Sequence, residues 1–267
     1  MNKFIVMSFC CVLSVTLAGC YAPVNKSGGK ALVYETPRSE SQKAADNYIA
    51  LAFQYINAGQ LGTARSKLDQ AKNFDSTNPK AYLGYALIYD QEQETRLAEE
   101  NFNKAAAHGG GAEVSMYHAL FLYNQARFTQ AQVHFDKCIN DATFDKRALC
   151  FELAGFNQMR LNNPQKAIAS FIKATQINPN MPVSYLSLAN LYIQSGENKL
   201  GYDAFKQYDQ MAIYIESVNH TAQSLWIGIQ LASAVGEKSE VLTFANKLNK
   251  QFPGSEEVKL YNAWLQN

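Results

Sequence analysis

The chain has 267 residues, 47% of them hydrophobic and 18% charged, with 24 basic side chains against 23 acidic ones. That balance excludes a nucleic-acid binder that works through a basic stripe, and a body held on an anionic membrane by charge alone. The length admits one or two ordinary domains, or a single array that grows by stacking. In chain order the first element is a signal peptide, residues 1–19. Lys3 supplies its positive flank, and residues 4–16 form an apolar run too short for a permanent membrane helix. Its removal takes away Lys3 alone and leaves 23 charges of each sign.

The run ends in Leu17-Ala18-Gly19-Cys20, which resembles the lipobox of bacterial lipoproteins. Small residues before the cysteine suit a signal-peptidase groove, and the thiol receives diacylglycerol. The resemblance implies cleavage before Cys20 and an acylated Cys20 that ties the chain to outer-membrane lipid. Tyr21 stands where an Asp commonly signals inner-membrane retention, so the body is expected to face the periplasm. Several acyl chains anchor stably where one is marginal, at about 0.8 kcal/mol per buried CH₂. The alternative is an ordinary secretory signal with a stray cysteine. Residues 20–43, with Pro, Gly, Lys and Ser but no helical period, read as a lipidated flexible tether.

From residue 44 the pattern changes. Tyr48, Ala52, Tyr55, Ala64, Leu68 and Ala71 return 34 residues later as Tyr82, Ala86, Tyr89, Ala98, Phe102 and Ala105. These are the spacings of a tetratricopeptide (TPR) repeat. The frame continues through Ala119, Ala131 and Phe135, then Gly155, Ala167 and Phe171. It returns at Tyr185, Ala189 and Phe205, and fades at Leu225, Gly228 and Leu248. The reading predicts an all-α, right-handed TPR α-solenoid over residues 44–267. Its helix-turn-helix repeats are placed at 45–78, 79–111, 112–147, 148–181, 182–221 and 222–254, with a capping helix over 255–267. Small residues let the two helices of a pair approach, and the phenylalanines fill the wedge against the next pair.

Two cysteines lie inside the array. Cys138 falls near the end of one repeat's second helix and Cys150 near the start of the next, on antiparallel neighbours that a bridge could join. Two buried free thiols in small-residue positions are the other reading. The histidines at 108, 118, 134 and 220 show no i, i+3 or i+4 pairing, so no metal face emerges, and His118 reads as a satisfied core residue. Neither a nucleophile elbow nor a nucleotide loop is present, so no catalytic residue, metal or cofactor is assigned and no small-molecule substrate is expected.

The surface singled out is the groove lined by the first helix of each repeat. The frame places Ile49, Phe53 and Ile56 there from repeat one, Leu83 and Leu87 from repeat two, and Met116, Leu120 and Tyr123 from repeat three. Glu152, Phe156 and Arg160 follow in repeat four, then Asn190 and Gln194. An apolar surface of this kind marks a partner, unless the tether folds back over it or the frame is off by one. A partner would then sit toward the N-terminal half.

The segment from Tyr117 to Phe128, the paired cysteines and Gln251-Phe252-Pro253-Gly254-Ser255 resemble the type IV pilus biogenesis and stability lipoproteins of the PilF/PilW family. His118-Ala119 and Ala126 depart from that family, which tends to have Gly there. The resemblance implies a pilotin, an outer-membrane lipoprotein that binds secretin subunits and promotes their localisation and multimerisation. It implies no enzymatic step. The alternative function is a TPR lipoprotein adaptor that scaffolds peptidoglycan or envelope-assembly enzymes.

Overall fold

The computed structural model describes residues 38–266. The signal peptide, the lipidation site Cys20 and most of the tether lie outside the described residues. From Ser39 onward the chain forms one compact unit. Its helices are α1 (Glu40–Asn57), α2 (Leu61–Phe74), α3 (Pro79–Gln91), α4 (Thr95–Ala107), α5 (Gly111–Asn124) and α6 (Phe128–Asn140). They continue as α7 (Arg147–Arg160), α8 (Pro164–Ile177), α9 (Pro182–Ser195), α10 (Asn198–Tyr214), α11 (Ala222–Ala234), α12 (Lys238–Gln251) and α13 (Glu256–Trp264). No strand occurs among the described residues.

Helix α1 begins at Glu40, inside the segment read as tether. Ser39 explains the difference. Its Oγ accepts the Gln42 amide at 3.2 Å, while the Gln42 side chain accepts the Ser39 amide at 3.0 Å. This capping box satisfies two orphan donors of the first turn. Ser41 Oγ also donates to the Phe74 carbonyl at 2.6 Å and fastens that turn to the end of α2. Elsewhere Pro79, Pro164 and Pro182 open α3, α8 and α9, where a missing N–H costs nothing.

Consecutive helices pair α1 with α2, and so on to α11 with α12, and α13 rests on α11 and α12. Each pair turns through one left-handed residue: Gly59, Gln93, Ala126, Asn162, Gly196 and Gly236. A six-to-one bond then closes the turn, as from the Arg127 amide to the Leu122 carbonyl at 2.9 Å. Between pairs, Phe102, Phe135, Phe171 and Phe205 are fully buried. Gly155 makes room for one of them, since a Cβ there would lie 2.8 Å from the Phe171 ring.

Successive odd-numbered helices touch along the first four repeats and again from α9 to α11, whereas successive even-numbered helices make no comparable contact. The stack is therefore shorter on its odd side, which becomes concave. Cys138 of α6 and Cys150 of α7 are bridged, with Cα atoms 6.2 Å apart, so a covalent tie joins repeats three and four.

Candidate functional site

The odd-numbered helices decide which apolar residues reach the groove. Ile49, Leu83 and Met116 do not. They are 3%, 0% and 2% exposed, which corrects their assignment to the groove. Glu152 occupies the equivalent position in α7 and shows where that position points. It is buried and accepts a hydrogen bond from Ser184 Oγ of α9 at 2.7 Å. The position thus faces the next odd helix, and burial pushes the Glu152 carboxyl above its ordinary pKa. Ile56 is also only 3% exposed, within the cluster that holds Ala64, Leu68 and Ile88. These four residues belong to the core because each of their helices packs against its own partner and against the next odd-numbered helix, which a single-helix projection leaves out.

The other four, Phe53, Leu87, Leu120 and Tyr123, are half-buried. Phe156 continues the line at the same position of α7, and Asn190 ends it in α9. The stripe opens into a cavity between α5 and α7. Leu120 and Tyr123 of α5, with Leu153 and Phe156 of α7, enclose about 90 Å³ above Phe135 of α6. Tyr123 is braced edge-on by Phe128, ring centroids 5.4 Å apart, and Phe156 by Phe171 at 5.1 Å. At the rim Arg160 Nε donates to Tyr123 Oη at 3.2 Å. Leu153 was absent from the sequence reading. Only the packing of α7 against α5 brings Leu153 to the cavity wall.

Two polar clusters lie away from this groove. His118 is 3% exposed and stacks on Phe102, ring centroids 4.8 Å apart. The His134 ring lies 4.0 Å from it across α5 and α6. Neither His118 nitrogen has a hydrogen-bond partner among the described residues, whereas the sequence suggests a satisfied core histidine. The sixteen-residue separation hides the pair, because it is the span of a helical hairpin rather than a turn. Burial first, then the His134 charge, lowers the His118 pKa to about 4.

The second cluster has the contact order of a nucleophilic triad. His220 Nε2 lies 3.1 Å from Asp209 Oδ1, and His220 Nδ1 lies 3.3 Å from Ser224 Oγ. Yet Ser224 is fully buried. Its hydroxyl donates to the Thr221 carbonyl at 2.9 Å and accepts the Thr221 amide at the same distance. No acyl group can approach it, so the cluster closes the N-terminus of α11. Among the described residues, no group of three or more His, Cys, Asp or Glu is placed to hold a metal ion. No described helix is long and apolar enough to cross a membrane.

A tetratricopeptide-repeat family model matches residues 149–181. The type IV pilus assembly protein PilF of Pseudomonas aeruginosa is 28% identical over 253 residues, covering 94% of this chain and 96% of that protein. The solved structure of P. aeruginosa PilF superposes with a TM-score of 0.74 at 26% identity, over 84% of this chain and 99% of that one. The chain is thus homologous to PilF over nearly its whole length, and its fold is an all-α TPR array. Crystalline PilW, a widely conserved type IV pilus biogenesis factor, shares the fold at TM-score 0.64 and 23% identity, over 81% and 97% of the two chains. A tetratricopeptide array accounts for the pairing of consecutive helices.

Proposed function

We propose that the protein is an outer-membrane lipoprotein pilotin. Anchored through acylated Cys20, it would hold a secretin subunit in its concave groove and promote secretin localisation and multimerisation. The observation that carries this reading is the half-exposed apolar stripe Phe53–Leu87–Leu120–Phe156 with its cavity above Phe135, in a chain homologous to PilF over nearly its whole length. Apolar side chains left at a surface are a docking feature, and a groove between stacked helices suits a polypeptide segment. No chemical step is needed. The lipid would supply the address and the groove the grip.

The test is a deletion strain scored for secretin multimers in the outer membrane. Multimers should vanish, return with the wild-type gene, and fail to return with Phe53→Asp or Leu120→Asp. Both variants should keep full helical circular dichroism, because neither side chain is fully buried. Normal multimers in the deletion strain would overturn the pilotin reading.

A further inference from the structure

The groove has a charged edge as well as an apolar floor. Arg160 is exposed at the C-terminal end of α7, and its Nε is committed to Tyr123 Oη at 3.2 Å. No carboxylate of the described residues forms an ion pair with it. By contrast, Arg65 reaches Glu92 at 2.8 Å and Arg127 reaches Glu99 at 2.7 Å. The tyrosine bond holds the guanidinium plane in place beside the cavity. The two terminal nitrogens are left as a fork, the geometry that matches a carboxylate in two parallel hydrogen bonds.

The cavity sets the second half of the match. About 90 Å³ is well below the ~150 Å³ that takes a benzene ring, so it fits a branched aliphatic side chain. Tyr123 touches both features, which puts the fork within one side-chain length of the cavity mouth. On a helical segment, residues three or four apart present side chains about 5–6 Å from one another, a spacing comparable with the one side-chain length of Tyr123 that lies between cavity and fork.

We infer that the groove reads a two-part signal: a branched aliphatic side chain for the Leu120–Leu153–Phe156 cavity, and an acidic side chain three or four residues away for Arg160. The inference rests on the reading that the groove captures a polypeptide, and it adds the chemistry by which one segment is chosen. An exposed ion pair contributes little by itself. Here the docked apolar residue excludes water from one side of the fork, and Tyr123 has already restricted the arginine.

The test selects random peptides, displayed with both ends fused, on the full-length protein in detergent. Enriched sequences should pair Leu, Ile or Val with Asp or Glu at the stated spacing. Binding of an enriched peptide, followed by fluorescence anisotropy, should weaken about tenfold with Arg160→Gln and recover partly with Arg160→Lys. Changing the peptide acid to its amide should weaken wild-type binding equally and have no further effect on Arg160→Gln, while Leu120→Asp abolishes binding. Enriched peptides without an acid, or binding indifferent to Arg160→Gln, would overturn the inference. So would enrichment confined to a second library with free C-termini, since the carboxylate would then be a chain end. Peptides tiled from the cognate secretin separate the two readings. If none binds while the selected motif still depends on Arg160, the secretin assignment fails and the two-part signal stands.

Discussion

Ala126 holds a backbone conformation that suits glycine better. Its φ is +55°, at the turn position where Gly59, Gly196 and Gly236 stand in other repeats. The left-handed region costs an ordinary L-residue roughly 1–2 kcal/mol, partly offset by the greater chain entropy that glycine loses on folding. Ala126→Gly should therefore stabilise the protein by about 0.5–1 kcal/mol, read as a higher urea midpoint; a lower midpoint would contradict the turn argument. His118 gives a second residue-scale expectation. Its folded pKa of about 4 lies below the ordinary 6.5, so folding favours the neutral ring. That stability is complete above about pH 6.5 and is lost as pH falls toward 4. The surroundings reinforce this: His134, Arg127 and Lys137 oppose a charge on His118, and only Glu99 favours one. Between about pH 7.5 and pH 5 the loss should be on the order of 2 kcal/mol. His118→Phe should flatten the pH dependence of the urea midpoint, and an unchanged slope would assign the loss to other groups.

At the scale of elements, the joint between α6 and α7 carries the longest loop deviation in the first four repeats and also the disulfide. Cys138 and Cys150 enclose a short loop, for which chain-entropy reasoning assigns about 3 kcal/mol. Reduction should lower stability by about that amount while the helical signal at room temperature stays intact. A smaller loss would mean that the Phe135 packing already holds the joint. This joint also supports the cavity, because α6 provides its floor and α7 two of its walls. A reduced protein should accordingly show weaker groove binding than the oxidised form. Ser39 makes the same point at the other end, where one capping box and one bond to Phe74 decide where α1 begins.

For the whole molecule, each repeat touches its neighbours and little else, so stability is a sum of repeat and interface terms. The terminal repeats have one neighbouring repeat where the middle ones have two. Native-state hydrogen exchange should therefore be fastest in α1 and α13 and slowest across α5 to α8. Uniform exchange throughout would indicate a single cooperative block. Leu51 marks the open end. It is 40% exposed, whereas Tyr85, one repeat further on, is buried against the first pair.

The repeat frame was legible in the sequence because it is a local code. Small residues at Ala52 and Ala64, phenylalanine at 102, 135, 171 and 205, and proline at helix starts each answer to a partner within one hairpin or the next. The groove was only half legible. Ile49 and Phe53 are both apolar and one helical turn apart in α1, and nothing within α1 says which of them the following odd helix will cover. The tertiary structure decides it by the curvature of the stack, which seals Ile49, Leu83 and Met116 and leaves Phe53, Leu87 and Leu120 at the surface. The same holds for Leu153 and for the contact of His118 with His134. Sequence by itself determined which helices pair, through the spacing of small and large side chains. Only the folded stack determined what remains uncovered, because exposure is set by every neighbour at once.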